Sequence, residues 1–176
     1  MQSPEVTVID YGVGNLLSVR RSLEYCGAKV EVTSDPETIL NATRVILPGV
    51  GAFGDGIAEL CRRGLDSVVR EVAVRGKSLL CICLGMQMLM DESEEFELTS
   101  GLGLIPGRVV PVPIRTADGQ TQKIPHIGWN ALVLPAGRES WEGTLLQNVN
   151  PGEAVYFVHS FMAVPSNVDH RIADCI

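Results

Sequence analysis

"SLLCICLGMQ", residues 78–87, decides how the chain is read. The run "SLLCIC" carries no charge and is apolar on both faces, as a central parallel strand is. It ends where Leu84 and Gly85 open a helix. A strand that turns sharply into a helix leaves the residue at the turn in the open, and a glycine two positions later lets the two elements approach closely. Cys83 holds the turn position. A helix N-terminus just beyond it favours thiolate, so a lowered thiol pKa is expected. Cys81 has no glycine two residues on and reads as a small core residue. The following "MQMLMDESEE" (86–95) predicts a helix, with 91–95 as its solvated face.

Working outward, the N-terminal half repeats one pattern. "VTVID" (6–10), "AKVEVT" (28–33) and "RVILPG" (44–49) read as strands. Between and after them lie helical stretches. "LLSVRRSLEYCG" has apolar residues at Leu16, Val19, Leu23 and Cys26 and ends at Gly27. "SDPETIL" offers Asp35 as a cap and Pro36 at the first helical position. "DGIAELCRRG" and "LDSVVREVAVRG" each close on a glycine. Strands alternating with helices predict an α/β fold built on a doubly wound, mostly parallel sheet. After Gly101 the pattern shifts to strands broken by prolines, at 104–114, 122–135 and 154–164, with "RIADCI" (171–176) as a last strand. With no repeat or linker, residues 1–176 are expected to form one domain.

A chain of 176 residues that is 45% hydrophobic can bury a sizeable core. Its net charge of −7 disfavours nucleic acid and anionic membrane as partners. The longest apolar stretch, Ser78 to Met90, is too short to span a bilayer. The first ten residues have no basic segment of the kind that opens a signal peptide. Five cysteines without framework spacing suit a reducing cytoplasm. Three scattered histidines, and no paired cysteine or histidine spacing, predict no metal and no cofactor.

Ligands of such sheets bind beyond the carboxyl ends of the strands. Three glycine-bearing loops leave strands there: "DYGVGN" (10–15), "PGVGAFGDG" (48–56) and "CLGMQ" (83–87). "GVGAFG" fits a dinucleotide fingerprint, but it follows the third strand and is opened by Pro48. A turn that offers N–H groups to an anion explains it equally well, and beside a nucleophile that anion is the oxygen of a tetrahedral intermediate. "HIGWN" (126–130) reads as a turn packed by Trp129, and "HSF" (159–161) as a strand end.

"CICLGMQ" resembles the nucleophile elbow of class I, triad-type glutamine amidotransferases. Taken with "DYGVGN", "LPGVGAFGD", "PHIGWN" and "YFVHSF", in order from Asp10 to Phe161, the chain is similar to one branch of that family. That branch is the glutaminase subunits of imidazole glycerol phosphate synthase, in histidine biosynthesis. The resemblance implies that Cys83 attacks the side-chain amide of L-glutamine, giving a glutamyl thioester and ammonia. It implies oxyanion donors from the Gly49, Val50 and Gly51 strand and from Leu84. It implies that Gln87, Glu95, Ser160 and Phe161 hold the substrate. Asn15, His126, Trp129 and Asn130 match the face that docks on a cyclase subunit shaped as a (β/α)8 barrel, into which ammonia passes.

Three departures accompany the match. Cys81 stands where the family often has glycine, and Phe161 where tyrosine is common. The family's triad histidine and glutamate lie in an "HPE" motif that these 176 residues do not contain. The expectation is therefore a domain incomplete at its C-terminus. Two other readings follow from the same residues: a glutaminase partner of a different synthase, or an inactive scaffold that only binds its partner.

Overall fold

The computed structural model describes residues 3–116 and 119–175. Ile176, the end of the predicted last strand, lies outside them. Four parallel strands form the first sheet: β1 (Glu5–Ile9), β2 (Lys29–Thr33), β3 (Arg44–Leu47) and β4 (Ser78–Cys81), in the order β2-β1-β3-β4. Helices α1 (Leu16–Tyr25), α2 (Pro36–Asn41), α3 (Phe53–Arg62) and α4 (Leu65–Val74) connect them. As predicted, the Asp35 side chain accepts from Thr38 N at 2.8 Å, with Pro36 opening α2.

Strand alternation decides which helix covers which face. Val6, Val8 and Ile46 point to one side, against Leu16, Val19 and Leu23 of α1. Ile9, Val45 and Leu47 point to the other, into a core with Phe53 and Leu60 of α3 and Leu65, Val69 and Val72 of α4. Helices thus lie on both faces, as expected of a doubly wound sheet.

The second half departs from a single parallel sheet. Strands β5 (Met90–Ser93), β6 (Thr99–Ser100), β7 (Ile105–Pro111) and β10 (Phe161–Pro165) form a mixed sheet in the order β10-β7-β5-β6. Strands β8 (His126–Val133), β9 (Ala154–His159) and β11 (Asp174–Cys175) form a third, antiparallel one.

Three expectations are corrected. The helix predicted over 86–95 is one turn, α5 (Leu84–Gln87), and the chain then becomes β5. The cause is long-range. Leu102 N donates to Met88 O, Leu104 N and Ile105 N to Leu89 O, and Gly101 N to Asp91 O, so that the backbone is taken up by a neighbouring segment. "HIGWN" is strand rather than turn, because it pairs residue for residue with β9, Ile127 opposite Val158 and Trp129 opposite Tyr156. Among the described residues β4 is an edge strand, paired with β3 alone, and its Leu80, like Ile82 just beyond its end, is exposed.

Candidate active site

The loops after β1, β3 and β4 converge on Gly49. A Cβ added there would lie 2.7 Å from Gly85 N, 2.9 Å from Leu84 Cβ and 2.9 Å from the hydroxyl of Tyr11. No side chain fits that junction. A Cβ added at Gly14 of the first loop would meet the ring of Pro48 at 3.4 Å.

Cys83 sits at the strand-to-helix turn with φ 54° and ψ −117°, a conformation that L-residues rarely adopt. Such strain persists only where surrounding contacts fix it, and it gathers at functional turns. Here the fixing contact is Gly85, whose missing side chain would collide with the carbonyl oxygen of Leu47. Ile82 N donates to that same oxygen at 3.0 Å, which pins the strand just before the turn. The outcome is an exposed Cys83 above a buried Leu84 and Gly85.

The other cysteine of the stretch is chemically different. Cys81 packs against the main core, and burial pushes its thiol up to about 12. A thiol so raised is protonated at neutral pH and is a poor nucleophile.

Around Cys83 the backbone offers donors without protein partners. Among the described residues no protein acceptor takes the N–H of Val50, Gly51 or Leu84. Val50 is exposed and Gly51 has φ 93°, which only glycine tolerates readily. Such unpaired N–H groups beside an exposed thiol suit a developing negative charge.

The predicted substrate residues fall into two contacts. Gln87 Nε2 donates to the carbonyl of Phe161 at 3.0 Å, which brings the elbow helix to the corner between β9 and β10. Ser160 lies at that corner, and its carbonyl accepts from Val112 N at 2.9 Å. Glu95, expected on a solvated helix face, instead reaches α3, where its carboxylate accepts from Phe53 N at 2.7 Å. Ala52, the residue before α3, supplies no side-chain cap, so Glu95 fills that role from 42 positions away.

The predicted docking residues are exposed or half-buried. Asn15 caps α1 by accepting from Ser18 N at 3.2 Å. On β8, His126 Nε2 lies 2.8 Å from Asn130 Oδ1, while Trp129 is 72% exposed. The Trp129 and Tyr156 rings meet edge to face with centroids 5.6 Å apart. Ile127 and Val158, also exposed, extend the patch along the same strand pair. Among the described residues no hydrogen bond or ring contact joins Asn15 to β8.

Sequence reading missed Tyr11. It lies in the first loop, is wholly buried, and its hydroxyl has no hydrogen-bond partner. Among the described residues no cluster of side chains could hold a metal ion, and no helix is long and apolar enough to cross a membrane.

Comparison with known proteins fits this geometry. The family described as glutamine amidotransferase class-I matches residues 7–174. The chain is 52% identical over 171 residues to imidazole glycerol phosphate synthase subunit HisH 1 of Legionella pneumophila (strain Lens), spanning 97% of this chain and 80% of that one. It is 49% identical over 168 residues to subunit HisH of Geobacillus sp. (strain WCH70), spanning 96% and 77%. Among solved structures, PurLQS from Thermotoga maritima superposes with TM-score 0.67 over 99% of this chain and 75% of that one, at 20% identity. A crystal structure of a glutamine amidotransferase gives TM-score 0.64 over 89% and 72%, at 14% identity. At such identities the likeness is one of fold.

Proposed function

Since the chain belongs to the class-I glutamine amidotransferase family, we propose that it acts as the glutaminase subunit of an imidazole glycerol phosphate synthase. The observation that carries the reading is Cys83, held at a left-handed turn between β4 and α5 and open to solvent.

Cys83 Sγ attacks the side-chain carbonyl carbon of L-glutamine. The carbonyl oxygen becomes an oxyanion, for which the N–H groups of Leu84, Val50 and Gly51 are unpartnered donors. The C–N bond breaks and the nitrogen leaves as ammonia once protonated. Water then cleaves the thioester, releasing glutamate and restoring the thiol. Glu95, Gln87 and the Ser160–Phe161 corner are the groups assigned to the amino and carboxylate ends of the substrate, by their likeness to the family's pattern.

Proton transfer needs a base of near-neutral pKa. His159 Nδ1 lies 2.8 Å from the carbonyl of Phe161, which can only accept, so that nitrogen donates. His126 is engaged with Asn130, and His170 sits exposed in a 3-10 turn.

The exposed patch of Ile127, Trp129, Tyr156 and Val158 suits docking to a cyclase subunit, a (β/α)8 barrel that takes up the ammonia. Free thiols at all five cysteines fit a cytoplasmic setting. Glutamate release by the full-length protein, with cyclase present, tests the reading. Cys83→Ala should abolish it, and retained turnover would overturn it.

A further inference from the structure

The hydroxyl of Tyr11 has no partner although the side chain is wholly buried. Such a hydroxyl has given up water without replacing it, whereas phenylalanine would fill the same space at no such cost. The hydroxyl lies beside the α-carbon of Gly49, at the junction of the three loops. Burial, with help from the nearby Cys81 and Cys83 thiols, pushes it up to about 12. At neutral pH it is therefore a protonated donor without an acceptor.

The carbonyl of Gly49, borne by the residue that the hydroxyl faces, is an acceptor that a rotation of the Gly49–Val50 peptide would turn toward it. The peptide between Gly49 and Val50 is planar and trans, so its C=O and N–H point in opposite directions. Val50 is on the open side, as is Cys83, while Tyr11 is inside. Turning the Val50 N–H toward a substrate oxyanion turns the Gly49 carbonyl inward, toward Tyr11. Glycine at 49 and 51 leaves the backbone free to make that rotation, and the exposed Val50 side chain moves without repacking the core.

We propose that Tyr11 is a positioning residue whose hydroxyl donates to the Gly49 carbonyl and so holds the Val50 N–H toward the oxyanion. The proposal rests on the glutaminase reading above and adds to it the group that secures the donor from behind. Tyr11 thus acts through the peptide.

The test is Tyr11→Phe in the full-length protein assembled with its cyclase. Stimulated glutaminase kcat should fall about 10- to 100-fold, a share of what loss of an oxyanion donor costs. KM should stay within about twofold, because the lost contact serves the transition state. Alkylation of Cys83 by iodoacetamide, which forms no oxyanion, should keep its rate, and thermal stability should not drop. In a Val50→Pro background, which already lacks the N–H, Tyr11→Phe should cost nothing more. Unchanged kcat would overturn the proposal. So would a parallel loss of alkylation rate or of stability, since the phenol would then only support the fold. Failure of the underlying reading looks different: Cys83→Ala would keep glutaminase activity whatever residue stands at 11.

Discussion

Gln87 Nε2 donates to the carbonyl oxygen of Phe161 at 3.0 Å, across 74 positions of sequence. His159 Nδ1 faces the same oxygen at 2.8 Å. The elbow helix and the β9–β10 corner are thus tied through one acceptor. Gln87→Ala should loosen the corner and raise KM for glutamine about tenfold, with a smaller change in kcat. Steady-state kinetics check it. An unchanged KM would place the tie outside the substrate site.

Gly85 is required by space. Because a Cβ there would meet the Leu47 carbonyl, Gly85→Ala must displace either β3 or the elbow. The expected cost is about 3 kcal/mol, at the upper end for overpacking. Denaturant unfolding measures it. A cost near zero would mean that the elbow is not clamped between Gly85 and Leu47.

How much of this was legible in the sequence differs by region. The β/α alternation to residue 81 could be read because each helix is amphipathic and has a local stop, and because Asp35 and Pro36 signal a helix start by themselves. The segment 88–95 could not. Met88, Leu89 and Met90 satisfy a helix and a short buried strand equally, and the choice was made by Gly101–Ile105, whose N–H groups capture that backbone. "HIGWN" misled for a related reason: its strand character comes from β9, some 25 residues on. Cys83 was visible because its chemistry is local, one cysteine before Leu-Gly. Glu95 as the cap of α3, and Tyr11 as a buried phenol, depend on contacts that no local pattern encodes.

Trp129 stands 72% exposed beside Tyr156. If this is the docking face, Trp129→Ala should weaken cyclase binding by about 2 kcal/mol or more, as loss of a buried aromatic anchor does. Titration calorimetry would detect it. Unchanged affinity would move the interface elsewhere.

Glu59 accepts from both Arg62 and Arg63, and those contacts hold its carboxyl down at about 2, against an ordinary 4.5. A depressed carboxylate stabilises the fold above its unfolded pKa and loses that contribution as pH falls toward the folded value. The stability gap between wild type and Glu59→Gln should therefore be steady above pH 4.5 and close as pH falls toward about 2. Melting curves over that range check it. A gap that widens on acidification would reverse the sign.

His126 Nε2 is engaged by Asn130, His159 Nδ1 by the carbonyl of Phe161, and His170 lies in an exposed 3-10 turn. In the full-length protein, His170→Gln should leave glutamate release within about twofold of wild type, whereas loss of a true catalytic base costs orders of magnitude. A drop of that size would make His170 the base.

The most direct measurement concerns the two thiols of "CICLG". A glutamine-like electrophile is added at neutral pH to the protein with its cyclase, and the adduct is mapped by peptide mass spectrometry. The account places the adduct on Cys83, exposed at its strained turn, and leaves Cys81 unmodified because burial keeps that thiol protonated. An adduct on Cys81, or equal labelling of both, would contradict it.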